Sequence, residues 1–162
     1  QLFFDSGLTK LYEEWKIASS DFFHRVKDSH GLDIDSDEFF SIWDDIFFET
    51  PLNIKMQDFL RRMKGRYKLA MISNINENHF KFLGKKMPIF GEFDKLILSY
   101  EIGFRKPALE IYNAALKAVN TMPEEVFYID DRADLIKAAA GYGISGIAFD
   151  GEEAFKKITW KL

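Results

Sequence analysis

The sequence has no cysteine among its 162 residues. This absence excludes disulfide bonds, thiolate metal sites and cysteine nucleophiles, and it is consistent with a reducing, cytoplasmic location. A membrane partner is not expected, because no apolar run approaches the ~20 residues that a spanning helix needs. An excess of basic residues is also missing, since the formal net charge is -4. Nucleic acids are bound through clustered Lys and Arg, so a nucleic-acid partner is not expected either.

The composition that remains is typical of a globular protein with a packed core. Hydrophobic residues make up 47% of the chain and charged residues 30%, which is an ordinary balance for such proteins. Phe contributes 17 residues, so we expect aromatic side chains to form much of the core. A chain of this length can hold one core and one small additional unit.

Residues 1–50 predict a small helical domain rich in aromatic residues. Ser36 has the character of a helix N-cap, and the side chains of Phe39, Trp43 and Ile46 recur behind it at helical spacing. We expect these three side chains to pack two helices together. The alternative is that one of them faces a substrate.

Residues 51–162 predict a different architecture. Pro51 interrupts the helical pattern, and after it short apolar runs alternate with helices. Such alternation is typical of βαβ units around a parallel sheet, so we expect a Rossmann-like α/β core. The runs interpreted as strands cover residues 67–72, 95–99, 126–129 and 144–149.

Polar side chains follow three of these runs. Ser73 and Asn74 come after the first run. Lys106 lies in the loop after the second run, and Asp130 and Asp131 end the third. Ligands of parallel sheets bind at the carboxyl ends of the strands, where a hydroxyl can hold phosphate oxygens and a lysine can offset their charge. Two adjacent carboxylates repel each other unless a hard cation such as Mg²⁺ lies between them.

Each of these residues also has an ordinary structural explanation. Ser73 could be a helix N-cap, and Lys106 could be a solvated surface lysine. Asp130 and Asp131 could cap the following helix, with Asp134 as an acidic residue of its first turn. The order of the residues, each near a strand end, favours one shared site over these separate explanations.

Three segments together resemble the haloacid dehalogenase superfamily. Residues 71–74, Met-Ile-Ser-Asn, resemble its second motif, and residues 103–107, Gly-Phe-Arg-Lys-Pro, resemble its third. Residues 127–134 resemble its fourth motif. The resemblance extends over nearly all of residues 51–150, and the helical first part is similar to the small cap domain of this family. It therefore implies a Rossmann-like core with a small α-helical cap.

The resemblance implies a role for each residue. Ser73 would bind the transferred phosphoryl group, and Asn74 would belong to the substrate-binding set. Lys106 would act in catalysis by bridging the phosphate and the nucleophile. Asp131 would be the direct ligand of Mg²⁺, with Asp130 supporting it or reaching the metal through water.

The adjacent carboxylates also separate activities within the superfamily. Dehalogenase members need no metal and usually lack this acidic pair, so the resemblance implies a phosphatase. The implied substrate is a small phosphorylated metabolite, such as a sugar phosphate, hydrolysed through an aspartyl-phosphate. The implied assembly is a monomer or a homodimer.

The first motif of the family, an apolar strand ending in a nucleophilic Asp, has only a weak counterpart. Residues 2–9 contain an apolar run followed by Asp5, but Gly7 stands where the general acid is expected. Residues 12–17 follow closely and look like the middle of a cap. We therefore expect Asp5 to belong to the cap and the first strand to lie upstream of Gln1.

In this family the first strand is central, between the strands that end here at Ser73 and Asp130. Its absence would leave two strand edges without partners, so we expect the 162-residue chain alone to be inactive and poorly stable. The alternative is a non-catalytic binding or regulatory module that has lost the nucleophile, and the coding sequence upstream of Gln1 distinguishes the two. A receiver domain is not favoured, because its acidic pair comes before the hydroxyl and the lysine.

Overall fold

The computed structural model describes residues 7–161, with side chains as far as residue 158. Within this range no helix is long and apolar enough to cross a bilayer. Short 3-10 helices cover Pro88–Glu92 and Pro123–Glu125. The other elements are, in chain order, α1 (Gly7–Glu13), α2 (Ser19–His30), α3 (Ser36–Asp44), α4 (Pro51–Met63), β1 (Ala70–Ser73), α5 (Glu77–Lys86), β2 (Lys95–Leu98), α6 (Ser99–Ile102), α7 (Leu109–Val119), β3 (Phe127–Asp130), α8 (Ala133–Ala140), β4 (Ser145–Ala148) and α9 (Glu152–Lys161).

The first three helices share an aromatic core of their own. Tyr12 of α1 stacks on Phe22 of α2 with 4.5 Å between ring centroids. Trp43 of α3 meets the Phe22 ring edge-on at 5.3 Å. The prediction that Phe39 and Trp43 pack helices together is confirmed, since both side chains are buried in this cluster. The prediction for Ile46 is wrong: it is 39% exposed, because α3 ends two residues before it.

Side chains just before α3 and α4 cap these two helices. Asp35, not Ser36, caps α3, because the Asp35 carboxylate accepts a backbone N–H of the first turn at 2.9 Å. Helix α4 begins at Pro51, directly after Thr50. The Thr50 hydroxyl accepts the N–H of Asn53 at 3.2 Å, which forms one half of a capping box.

The strands confirm the predicted parallel α/β core. β1 pairs in parallel with β2, and β3 pairs in parallel with β4. In this register Ser73 lies opposite Leu98, and Asp130 lies opposite the last residue of β4. β1 starts later than predicted, at Ala70, because the N–H of Tyr67 is still hydrogen-bonded to the end of α4, at 3.1 Å.

Close approach between β3 and β4 explains one glycine of the sequence. A Cβ atom on Gly146 would lie 2.5 Å from the carbonyl oxygen of Tyr128, a distance that no side chain can tolerate. Helix α8 packs against this pair of strands, whereas α7 packs against β1 and β2. Tyr112 of α7 and Ala139 of α8 are completely buried.

A cavity of about 960 Å³ separates the two pairs of strands; we call it the central slot. Residues 69–72, which include the first three residues of β1, and residues 126–131, which include β3, line it. Phe59 of α4 and Tyr112 of α7 also line it, and they belong to different apolar clusters. Within residues 7–161, β1 and β3 pair with no strand besides β2 and β4, respectively. Because a strand edge exposes N–H and C=O groups, the slot presents unused backbone hydrogen-bonding groups together with apolar side chains.

Candidate active site

A buried ion pair joins two of the predicted site residues. The Nζ atom of Lys106 lies 2.6 Å from Oδ2 of Asp130, and the two side chains are only 11% and 5% exposed. Asp130 also accepts hydrogen bonds from the hydroxyl of Tyr128 and from the backbone N–H of Arg132, the latter at 3.0 Å. Three donors therefore fix the carboxylate at the end of β3.

These contacts determine the charge of the Asp130 carboxyl. Burial by itself raises its pKa, but the Lys106 ammonium and the hydrogen bonds from Tyr128 and Arg132 outweigh burial and bring the pKa below its usual value. The pKa of Tyr128 is raised by burial and by the neighbouring carboxylate, so its hydroxyl stays protonated and donates a hydrogen bond to Asp130. At neutral pH the Asp130 carboxyl is therefore charged and the Tyr128 phenol is neutral.

Asn74 positions the lysine through the backbone. Its Oδ1 atom accepts the N–H of Lys106 at 2.7 Å, and its Nδ2 atom donates to the Lys106 carbonyl at 3.0 Å. The Asn74 side-chain amide thus holds the backbone of Lys106, which lies 32 positions further along the chain. Family resemblance implied substrate contact for Asn74, whereas the described contacts of its amide are to the lysine loop.

Ser73 ends β1 and is half-buried. It is not the cap of the following helix, because the side chain of Asn76 accepts the N–H of His79 at 2.9 Å and caps α5. The loop between them is fastened by Ser99, whose hydroxyl accepts the N–H of Ile75 at 2.9 Å and donates to its carbonyl at 3.0 Å. The ordinary helix-cap explanation for Ser73 is therefore excluded.

The two remaining acidic residues lie at the same edge of the sheet. Asp131 follows Asp130 directly and is exposed. Asp134 forms an ion pair with Arg132 at 2.7 Å, and this hydrogen-bonded contact holds its pKa below the usual range. Within the described part of the chain, no three His, Asp or Glu side chains come together to enclose a metal ion. Mg²⁺ is commonly held by one or two carboxylates with water and phosphate, and Asp130 and Asp131 supply carboxylates of this kind.

A smaller cavity of about 250 Å³ lies between the helices before Pro51 and the α/β core; we call it the interface pocket. Ser73 and Asn74 line it from the core, and Glu13 lines it from α1. Oε2 of Glu13 lies 2.6 Å from Nε of Arg105, and both side chains are largely buried. Since Arg105 precedes Lys106, this ion pair ties α1 to the lysine loop.

His79 is a buried residue of the interface pocket, and no pattern in the sequence marks it as a site residue. Its ring stacks on Trp43 with 5.5 Å between centroids and meets Phe47 edge-on at 4.7 Å. Because Oδ1 of Asn76 takes the backbone N–H of His79, Nδ2 donates to the ring atom Nδ1 at 3.1 Å. Burial lowers the pKa of His79 to about 4, so the imidazole is neutral at pH 7.

The structure thus brings Lys106 and Asp130 into contact and ties the loop of Lys106 to Asn74, next to Ser73. Asp131 follows Asp130 at the carboxyl end of β3. Asp5, the weak nucleophile candidate, lies outside the described residues. The chemical roles of these residues stay predictions, whereas their convergence is a property of the fold.

Comparison with known proteins gives the site a family context. A sequence model described as haloacid dehalogenase-like hydrolase matches residues 5–143. The D-ribitol-5-phosphate phosphatase of Bacteroides thetaiotaomicron is 26% identical over 132 residues, which are 78% of this chain and 63% of that protein. The chain therefore spans less than two thirds of the length of that relative. A sesquiterpene phosphatase of Aspergillus oryzae is 28% identical over 144 residues, 88% of this chain and 72% of that protein.

One solved structure is similar over almost the whole chain. It is the wild-type HAD family enzyme from Bacteroides thetaiotaomicron in complex with magnesium and inorganic phosphate. The two structures superpose with a TM-score of 0.80 at 26% sequence identity, covering 93% of this chain and 78% of that one.

Proposed function

The chain belongs to the haloacid dehalogenase-like hydrolases, and from this premise we propose that the complete protein is a Mg²⁺-dependent phosphatase of small phosphate monoesters. The observation that carries the proposal is the buried contact of 2.6 Å between Lys106 and Asp130, at the edge of the sheet where Ser73 ends β1. An ammonium, a hydroxyl and a pair of carboxylates can bind a phosphoryl group and offset its charge. Two phosphatases among the relatives, and a similar enzyme solved with magnesium and phosphate, support this choice.

Ser73 and Lys106 would bind the phosphoryl group. The Ser73 hydroxyl donates a hydrogen bond to a phosphoryl oxygen, and the Lys106 ammonium bridges another oxygen and the nucleophile. The amide of Asn74 holds the backbone of Lys106 at 2.7 and 3.0 Å, so the lysine is positioned before the substrate arrives. Preorganised charge of this kind needs little rearrangement in the transition state.

Asp131 and Asp130 would hold Mg²⁺, with Asp131 as the direct ligand and Asp130 in support. A bound Mg²⁺ ion offsets the negative charge that phosphoryl transfer concentrates on the oxygens. The Tyr128 hydroxyl and the N–H of Arg132 restrain the Asp130 carboxylate. Restraints of this type orient metal ligands and are needed for full affinity.

We assign the nucleophilic Asp to a β-strand in the central slot, outside residues 7–161. The slot lies between β1 and β3, whose carboxyl ends carry Ser73 and Asp130. A parallel strand there would satisfy both unused edges and would end beside these two residues. Because both of its faces would be buried, it should be almost entirely apolar. Attack by its terminal Asp on phosphorus would break the ester P–O bond and form an aspartyl-phosphate, and the leaving oxygen would take a proton from water and depart as the alcohol. A second water would then hydrolyse the aspartyl-phosphate to inorganic phosphate and the free carboxylate.

The helices before Pro51 would act as the cap. They meet the core at the interface pocket, next to Ser73, so they can exclude water and select the substrate. Among the described residues no strand occupies the central slot of about 960 Å³, so we expect residues 7–161 alone to lack activity and to melt without cooperativity.

A phosphatase assay on the full-length protein tests the proposal. Phosphate release from a panel of small phosphate monoesters should depend on Mg²⁺, stop with EDTA and return when Mg²⁺ is added. Asp131→Asn should lower kcat by about 100-fold or more, as expected for loss of a metal-binding group. Asp58→Asn is the matched control, because this exposed carboxylate pairs with Arg61 on α4 at 2.9 Å, and it should keep wild-type turnover.

Absence of turnover across the panel, by folded full-length protein, would overturn the proposal. The alternative, a binding or regulatory module that has lost its nucleophile, would then bind phosphate and Mg²⁺ without hydrolysis. A full-length sequence without an apolar strand ending in Asp would favour the same alternative.

A further inference from the structure

The C-terminal end of α1 contacts the loop that carries Lys106. This lysine loop consists of residues 103–108, between α6 and α7. Oε2 of Glu13 lies 2.6 Å from Nε of Arg105, and the two side chains are only 13% and 18% exposed. Because Arg105 is the neighbour of Lys106 in the chain, α1 holds the residue that directly precedes the lysine.

Two weaker contacts accompany this ion pair at the same end of α1. Nζ of Lys16 lies 5.8 Å from the centroid of the Phe104 ring, within the range of a cation–π interaction. The ring of Trp15 lies 6.2 Å from that of Tyr100, on the short helix α6 that leads into the lysine loop. The end of α1 therefore meets the loop and the helix before it at three places.

The backbone at the end of α1 is strained at one residue. The N–H of Trp15 is hydrogen-bonded to the carbonyl of Tyr12 at 3.1 Å, and the N–H of Lys16 to that of Leu11 at 2.8 Å. This is the Schellman pattern, in which glycine normally takes the left-handed position. Here that residue is Trp15, with φ at 55°, and a bulky residue in this region is an outlier. The strained position thus carries the ring that contacts α6, a contact that glycine could not make.

The Lys106 region is held by three separate elements. Asn74, which follows β1, takes the backbone N–H and C=O of Lys106 at 2.7 and 3.0 Å. Asp130 of β3 takes its ammonium at 2.6 Å. Glu13 of α1 adds the third restraint through Arg105. Loops move more than the elements that they connect, and a shift of about 1 Å at a catalytic group can lower turnover about 100-fold.

We propose that Glu13 is a positioning residue for the phosphatase reaction: its ion pair with Arg105 holds the lysine loop so that the Lys106 ammonium lies where phosphoryl group and nucleophile meet. This inference rests on the proposed function. It adds a residue from outside the α/β core to those that place the lysine. Without the Glu13 charge, the largely buried guanidinium of Arg105 would move toward water and shift the loop with it.

The test measures kcat of the full-length protein with Mg²⁺ and para-nitrophenyl phosphate, or with the fastest ester of the panel. Glu13→Gln keeps the size of the side chain and removes its charge, so kcat should fall by about tenfold or more. Arg105→Gln should cause a similar loss. Arg105→Lys restores a cation opposite Glu13 and should recover most of that loss. These two Arg105 variants decide the matter if Glu13→Gln does not fold.

A second background separates positioning of the lysine from general stabilisation. In Lys106→Met protein, Glu13→Gln should change the residual kcat by less than about twofold, because the group that Glu13 positions is already absent. An equal fold-loss in both backgrounds would overturn the proposal. If the residual turnover is too slow to measure, Arg105→Lys decides, and turnover no better than that of Arg105→Gln overturns it.

Glu92→Gln is the matched control. This carboxylate also joins two elements, through a contact of 2.7 Å with Lys64. It precedes β2, at the opposite end of that strand from the lysine loop. The control should therefore keep the wild-type kcat.

The outcomes separate this inference from the proposed function. Wild-type kcat in folded Glu13→Gln and Arg105→Gln overturns the positioning role and leaves the phosphatase standing. A wild-type protein that hydrolyses no phosphate ester overturns both.

Discussion

Substitution of Lys106 by Met tests how the buried charges of the site are balanced. The Lys106 and Asp130 side chains are 11% and 5% exposed and lie 2.6 Å apart. Met has a similar length but no charge, so the variant leaves a buried carboxylate without its cation. Removal of one partner from a buried ion pair costs about 3–5 kcal/mol.

We expect a loss near the lower end of that range, because Asp130 keeps its hydrogen bonds from Tyr128 and Arg132. A loss of about 3 kcal/mol corresponds to a drop in Tm of about 6–12 °C for a protein of this size. The assay is urea unfolding of full-length protein, with a thermal melt as a second measurement. Lys117→Met is the matched control: Lys117 is exposed, and the change should stay within about 0.5 kcal/mol.

The pH dependence of the stability loss tests the direction of the Asp130 pKa shift. In the wild-type protein the pKa of Asp130 is below its usual value because Lys106 and two hydrogen bonds outweigh burial. That stabilisation is present above the unfolded pKa of about 4 and is lost as the pH falls through the folded pKa. In Lys106→Met the charge of Lys106 no longer offsets burial, so the pKa of the Asp130 carboxyl rises above its wild-type value. The deficit of the variant should therefore be largest at pH 7 and shrink below about pH 4.

A double-mutant cycle with Asp130→Asn completes the test. The double variant should be more stable than the sum of the two single losses predicts, by about 1–3 kcal/mol. Equal stability of Lys106→Met and wild-type protein at pH 7 would refute the reasoning. So would a deficit that does not change between pH 7 and acid pH.

Two further substitutions test how the site is held. Asn74→Ala removes two hydrogen bonds to the backbone of Lys106, worth about 1 kcal/mol each, so steady-state kinetics should find kcat lowered by about tenfold or more. Asn74→Asp keeps one of the two hydrogen bonds and should lose less activity. Equal losses in the two variants would contradict the positioning of Lys106 by Asn74. Gly146→Ala places a Cβ atom 2.5 Å from the carbonyl oxygen of Tyr128 and should lower the free energy of unfolding by about 1–3 kcal/mol. The control is Gly84→Ala in α5, where a Cβ atom would meet nothing within 4 Å, and its free energy of unfolding should rise slightly. Urea unfolding of the two variants measures both changes.

The edge of the sheet could be predicted from the sequence because each strand end is a local feature. An apolar run followed by a polar residue marks Ser73 and Asp130 without knowledge of the tertiary fold. Lys106 also follows a strand, and the order of the three residues limits the arrangement further. The aromatic packing of the cap follows in the same way from helical spacing, except at Ile46, where the helix had already ended.

The parts that could not be predicted depend on contacts between distant segments. The Asn74 amide reaches a residue 32 positions away, and Glu13 reaches Arg105 across the boundary between cap and core. Nothing local distinguishes Glu13 from its neighbour Glu14, or His79 from a surface histidine on a helix. Their burial is decided by how the cap sits on the core, which periodicity and composition do not specify.

The measurement that tests the central proposal most directly locates the covalent intermediate. Full-length protein is mixed with a substrate and Mg²⁺, quenched in acid, digested and analysed by mass spectrometry. We expect one hydroxylamine-labile phosphoryl group on an Asp outside residues 7–161, at the carboxyl end of an apolar segment that fits the central slot. A phosphoryl group on a residue within 7–161, or turnover without any acyl-phosphate, would contradict the proposal.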